Sequence, residues 1–285
     1  MFLHVIEETL RLNHLLRLPA FIVGSSLTLW LTSVSYAPAS AQVFETGPVG
    51  GITYYLGDLN PGKHFQFIQP AYGLMIRYNF DTRWAVKLSG TYGKVKGDAT
   101  SSVFLPERGL TFSSNITDIS AVAEFNFFRY FTGSKKEAIT PYIYAGISVF
   151  FFNPKANGIT LKQLGTEGQN EGYQGRKPYA LTGFAIPFGL GVKVSVSKRI
   201  GMTVFWEMHK TFTDYLDDVS STYYLDGTRI NPADLTSYMS DPTMNHKPGM
   251  ERGDSKNMDW YSFTGISIAY RFVLGSSKRC RDLEH

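Results

Sequence analysis

The stretch Ile186-Pro187-Phe188-Gly189-Leu190-Gly191-Val192-Lys193-Val194-Ser195-Val196 decides the fold. Every second residue from Ile186 to Val196 is apolar, and the residues between are Pro187, Gly189, Gly191, Lys193 and Ser195. A strand turns successive side chains to opposite faces, so this segment has one apolar face and one small or polar face. The period recurs in Ile200, Met202, Val204, Trp206 and Met208, in Ile266, Ile268, Tyr270 and Phe272, and in Tyr72, Leu74, Ile76, Tyr78 and Phe80. Segments 49–57, 84–94, 114–130 and 140–152 follow it less regularly. The pattern predicts eight strands, an even number suited to an up-and-down barrel.

The minority face decides which side of the barrel is apolar. It is built mainly of Gly, Ser, Ala and Thr, with Arg77, Lys87, Glu124, Lys193, Glu207 and Arg271 scattered along it. Small residues and a few charges of both signs suit the narrow interior of eight strands, where the charges can pair and leave no open pore. The continuous apolar face then points to lipid, which predicts an all-β, eight-stranded antiparallel transmembrane barrel of the outer-membrane type. Composition agrees. The 285 residues are 43% hydrophobic and 15% aromatic, too apolar for a disordered chain. Only 18% are charged and the net charge is +4, which excludes a nucleic-acid footprint. A single cysteine, Cys280, excludes an internal disulfide and a cysteine-based zinc site.

Connection lengths alternate. Short turns fall at 81–83, 132–138 and 197–199, and long ones at 58–69, 97–110, 153–178 and 216–259, as in barrels with short periplasmic turns and long external loops. Aromatics bracket the short turns (Tyr78, Phe80, Trp84, Tyr130, Phe131, Tyr142) and the opposite strand ends (Tyr72, Tyr92, Phe151, Phe184, Trp206, Trp260, Tyr261), where two interfacial belts are expected.

Residues 18–31, LPAFIVGSSLTLWL, form an uncharged apolar run after Arg11 and Arg17, followed by Ala39-Ser40-Ala41. This is a secretory signal with cleavage expected after Ala41. A retained anchor is disfavoured, because the run is shorter than the ~20 residues a spanning helix needs. The expected organisation is a signal peptide over 1–41, a barrel over 42–274 and a short basic periplasmic tail over 275–285, in the outer membrane.

Each candidate site meets a plainer reading. Asp214, Asp217, Asp218, Asp226, Asp234 and Asp241 crowd the last long loop, but without the spacing of a calcium loop, and a solvated acidic loop is expected. Glu207 and His209, with Ser195 or Ser220, suggest the Ser/His/acid set that lipid-modifying barrel enzymes carry on the outer wall, but Glu207 and His209 fall on the inner face, where a polar pair is the simpler reading. The glycines of 47–51 precede no helix, which excludes a phosphate loop. No catalytic residue, cofactor or metal is therefore expected, and no small-molecule substrate. Arg83, Lys135, Lys136, Lys198 and Arg199, with Lys278, Arg279 and Arg281 of the tail, give the short-turn side a basic bias suited to a periplasmic partner or to lipid headgroups.

Two motifs carry a resemblance. Gly50-Gly51-Ile52-Thr53-Tyr54-Tyr55-Leu56-Gly57-Asp58-Leu59-Asn60 and Thr213-Asp214-Tyr215-Leu216-Asp217-Asp218-Val219-Ser220 resemble the corresponding stretches of PorG proteins, the outer-membrane barrel component of the type IX secretion system. The resemblance implies a non-enzymatic role in which the barrel tethers a periplasmic ring of proteins resembling PorK and PorN. It carries over no catalytic or ligand residues. The alternative is an OmpX-like structural or adhesive barrel acting through its external loops.

Overall fold

Alternating segments joined by short turns pair with their neighbours in sequence, and the ladder closes on itself. A computed structural model describes residues 43–101 and 106–273. The expected signal segment, and the tail with Cys280, lie outside the described residues. The strands are β1 (Val43–Leu56), β2 (Gln69–Asn79), β3 (Trp84–Asp98), β4 (Thr111–Asn126), β5 (Ile139–Ala156), β6 (Ile159–Thr160), β7 (Thr182–Ser195), β8 (Ile200–Thr211) and β9 (Trp260–Val273). Their order is β4-β3-β2-β1-β9-β8-β7-β5, and pairing of β4 with β5 completes a closed antiparallel barrel of eight strands. The two-residue β6 forms a hairpin on the end of β5. Its turn, Asn157-Gly158, has positive φ at both residues, as a two-residue hairpin of this hand requires.

No helix among the described residues is long and apolar enough to cross a membrane; the chain crosses with strands. Leu74, Ile76, Leu88, Ile119, Ile143, Ile147, Leu190, Val204, Ile266 and Ile268 point outward around the circumference and are exposed, Ile147 to 71%. Phe80, Trp84, Phe127, Phe128 and Phe272 flank this band at the short-turn end, and Tyr72, Tyr92, Phe151, Phe184 and Phe212 at the other. The wall is therefore apolar outside and polar inside, the arrangement of a transmembrane barrel. Tyr130, Tyr142 and Tyr261, expected in the belts, are instead buried inside. Tyr142 and Tyr261 sit on the inward parity of β5 and β9, and Tyr130 lies in a turn that folds under the barrel.

Most strands run further toward the long-loop end than their alternation indicates. β3 continues to Asp98 and β5 to Ala156, while β7 starts at Thr182 and β9 at Trp260. Along these extensions the inner face also becomes apolar. Phe112, Ile116, Phe150, Phe152, Phe205, Tyr261 and Phe263 join Leu59, Leu110, Leu161, Leu216, Val219 and Met239 from the loops in one core. Polar–apolar contrast fades where both faces are covered, so alternation loses its signal there. Where β1 meets β9 to close the barrel, Gly51 lies so near β9 that a Cβ would stand 2.1 Å from the Thr264 carbonyl oxygen. Only glycine fits that approach.

Candidate functional site

The lumen holds a buried charge network. Each member stands on the inward parity of its strand, and β1, β2, β3, β4, β7 and β8 all contribute. Arg77 donates from Nε to Glu124 Oε2 at 2.7 Å and from Nη1 to Glu45 Oε2 at 2.9 Å. Lys193 donates to the same Glu124 oxygen at 2.6 Å and stands over the Tyr142 ring. Lys87 reaches Glu207 at 3.4 Å, and His209 Nε2 lies 2.9 Å from the other oxygen of Glu207. His209 Nδ1 is 3.6 Å from Asp118, which accepts from the Tyr261 hydroxyl at 2.8 Å. Residue composition pointed to Arg77, Lys87, Glu124, Lys193 and Glu207 as interior charges. Glu45 and Asp118 carried no such signal, because their stretches alternate poorly. The space left beside Arg77, Lys87 and Glu207 is about 10 Å³, room for a single water, so the interior is filled and not a channel.

The short-turn mouth is closed by the chain itself. After β4 the segment 127–138 folds back across the opening, where Tyr130 and Thr132 are buried. The Tyr130 amide donates to the Thr82 carbonyl at 3.0 Å, and the Thr132 hydroxyl donates to Glu45 at 2.6 Å. Arg271 sits at this mouth, apart from the carboxylates, donating to the Thr132 carbonyl at 2.6 Å with its guanidinium over the Phe131 ring. The Gly133 amide donates to Ser195 Oγ at 2.7 Å, which ties segment 127–138 to the turn before β8. Arg83, Lys135, Lys136, Lys198 and Arg199 are arrayed around this floor. Arg83 donates to the Phe127 carbonyl and Arg199 to the Tyr270 hydroxyl, while Arg129, also on this floor, pairs with Glu137 at 2.9 Å.

At the other end the long loops pack into a cap. Its polar centre is Arg252, 1% exposed, donating to Glu167 at 3.0 Å and to the Asp218 carbonyl at 2.6 Å. Glu167 also accepts from the Ser220 and Ser221 amides and the Ser221 hydroxyl. Burial pushes Glu167 up, but Arg252 and these donors outweigh it and hold the carboxyl below its usual range. Asp218, hydrogen-bonded by Thr166 and Tyr179, is pushed by burial up to about 6 against the pull of Arg252. Beside this centre, Asp58, Asp214, Asp217 and Asp259 share a space with few cations. Burial and mutual repulsion raise Asp58 to about 6 and Asp214 to about 9, and push Asp217 and Asp259 well up. This corrects the expectation of a solvated acidic loop. Asp214, Asp217, Asp218 and Asp241 are buried. Only Asp226 and Asp234 serve as surface caps, accepting from the Thr228 and Ser237 amides.

The family described as a domain of unknown function, DUF6089, matches residues 25–224. The chain belongs to this family. No curated protein matches it. Among solved structures, Ail of Yersinia pestis, crystallised with the heparin analogue sucrose octasulfate, aligns at 10% identity and a TM-score of 0.40, covering 82% of this chain and 100% of that one. OprG from Pseudomonas aeruginosa aligns at 13% identity and 0.40, covering 82% and 97%. Neisserial surface protein A aligns at 10% and 0.38, covering 84% and 100%.

In this DUF6089 chain the serines weighed as partners of His209 lie elsewhere, Ser195 at the short-turn mouth and Ser220 in the cap. The serine near the imidazole is Ser148, whose Oγ is 3.4 Å from Nδ1. Ser148, His209, Glu207 and Asp118 are all buried inside the filled lumen. They form a set of interior polar contacts that no substrate-sized space reaches. Among the described residues no three acidic, histidine or cysteine side chains converge in a way that could hold a metal ion.

Proposed function

We propose that this chain is a non-enzymatic barrel of the bacterial outer membrane that anchors the periplasmic ring of a type IX secretion system through its short-turn end. The observation that carries the reading is the floor just described. The mouth is sealed by segment 127–138, its backbone is tied to neighbouring turns, and Lys135, Lys136, Lys198 and Arg199 stand around it. A rigid surface on which bases outnumber the acids Asp81 and Glu137 favours an acidic face on a partner and speeds its capture. The motifs at 50–60 and 213–220 support the same reading through their resemblance to PorG proteins, with ring proteins resembling PorK and PorN as the partners and outer-membrane lipids around the wall.

A second reading has its own support. The packed cap is far more ordered than four solvated loops would be, which suits an OmpX-like structural or adhesive barrel acting outside the cell. Mild-detergent capture of the tagged protein from its own membranes separates the two. On the anchor reading a ring-forming lipoprotein and its companion co-purify, and reversing Lys135, Lys136, Lys198 and Arg199 to Glu abolishes their recovery while the barrel still migrates as a folded species before heating. Recovery of the barrel without partners, after crosslinking as well, would replace the anchor reading by the external one.

A further inference from the structure

One part of the outer wall departs from the lipid-facing pattern. Tyr54, Met208 and Ser262 have outward parity on β1, β8 and β9, yet they are 0%, 3% and 0% exposed. The loop 57–68 folds over Tyr54 on the outside of the barrel, and the Tyr54 hydroxyl in turn donates to Met208 Sδ at 3.5 Å. The Tyr54 hydroxyl lies 3.1 Å from His64 Nδ1, and the Tyr54 ring packs 4.9 Å from Phe65. Trp206 Nε1 donates to the Tyr54 hydroxyl at 2.8 Å, which locks this wall. Phe65 and Phe67 hold left-handed backbone, φ 61° and 53°, an unfavourable conformation for aromatic residues that the covering contacts must offset.

Between this loop, segment 251–258 and the wall lies a half-open cavity of about 730 Å³, within the range of small-ligand sites. Its wall side is apolar, with Leu56, Phe188, Trp206, Met208 and Trp260, and Met258 adds to it from the loop. Its rim away from the wall is polar, with Asp58, His64, Arg108 and Asn257 among the residues, and Lys210 stands over the Trp260 ring at 5.7 Å. Phe184 and Ile186 continue the column of Phe188 toward the loops and are exposed, so the wall side of the cavity adjoins apolar residues that face lipid. We infer that this cavity is a site for one acyl chain of an outer-leaflet membrane lipid, seated beneath the loop 57–68 with its head group at the polar rim. A chain entering from the bilayer exchanges lipid contacts for aromatic ones while its polar end stays at the interface, where Trp and Lys are favourable neighbours. This site is separate from the basic floor and does not depend on the anchoring role.

Met208 makes the inference testable, because a lipid packed around the barrel cannot touch a side chain that is only 3% exposed and lies beneath Tyr54. The full-length protein in vesicles containing a trace of phospholipid with a photoactivatable diazirine on its acyl chain, with adducts located residue by residue, should be labelled at Met208 and Met258 as strongly as at the lipid-exposed Leu74 and Ile147. Met258→Asp, on an external segment that need not enter the bilayer, should reduce labelling at Met208 about tenfold or more, since a carboxylate against an acyl chain costs more than the roughly 1.4 kcal/mol that factor represents. Labelling at Leu74 should stay constant, and unheated gel migration should show an intact barrel. Labelling of Leu74 and Ile147 with none at Met208 would overturn the inference. So would cavity labelling by a diazirine fatty acid alone, since the occupant would then be a free acid and not a membrane lipid.

Discussion

Glu124 is the node of the lumen network, and its replacement by Gln is the most exacting test of the interior. The carboxylate is fully buried and is shared by Arg77, at 2.7 and 3.3 Å, and Lys193, at 2.6 Å. The Glu124→Gln amide would keep the shape and lose the charge. Arg77 would retain Glu45, but Lys193 would retain only an uncharged amide group and the Tyr142 ring as close favourable neighbours. An uncompensated buried cation costs about 3–5 kcal/mol when its partner is removed, so Glu124→Gln should lower unfolding stability by that order. Lys193→Met alone leaves Glu124 held by the Arg77 fork and should cost only about 1–2 kcal/mol. The double variant removes the stranded cation, so it should be more stable than the sum of the single losses by about 2 kcal/mol. Urea titration of all four proteins in one detergent, followed by the unheated gel shift and by tryptophan fluorescence, reads these differences. A Glu124→Gln barrel within about 0.5 kcal/mol of the parent, or strictly additive losses, would refute the idea that Glu124 holds two buried cations in place.

Two further outcomes concern the cap. Asp58 and Asp214 titrate at about 6 and about 9 in the folded chain, above an unfolded carboxylate near 4, so the folded cap binds more protons. The part of its stability contributed by Asp58 and Asp214 is therefore full below about pH 4 and is lost as pH rises through those values. Hydrogen exchange in 212–259 should quicken from about pH 5 to about pH 9 beyond the intrinsic base-catalysed rise, and Asp214→Asn should flatten the upper part of that trend. Arg252→Met strands the buried Glu167 carboxylate at a cost of about 3–5 kcal/mol, borne by the cap alone. Limited proteolysis should then cut the long loops while the heat-modifiable barrel persists; a cap still resistant would contradict the central place given to Arg252.

The barrel was legible because lipid outside and a narrow polar lumen inside impose opposite demands on alternate residues. The run from Ile186 to Val196 records both demands. Connection lengths were equally legible, since the turn at 197–199 and the loop over 216–259 differ in the plain count of polar letters. The candidate sites were less so. The interior roles of Lys193 and Glu207 followed from parity, but which carboxylate meets which cation depends on strands distant in sequence, such as the contact between Lys87 and Glu207. The Asn157-Gly158 hairpin carries a local signal in the Asn-Gly pair itself.

Other features had no local signal at all. Nothing in the spacing of Asp214, Asp217 and Asp218 distinguishes a solvated loop from a buried one, because burial there comes from Asp58 and Glu167 of two other loops and from Arg252 at the far end of the same one. Tyr130 looks like a belt residue until segment 127–138 is seen to turn under the mouth. Met208 reads as lipid-facing, and is so by parity, yet it lies beneath Tyr54. The sequence by itself determined strand number, facing and the alternation of turns, all of which follow from the solvent each face meets. The plug, the cap and the covered patch of wall were decided only by tertiary structure, because they arise where one segment replaces solvent or lipid over another, and no residue carries a local mark of what will cover it.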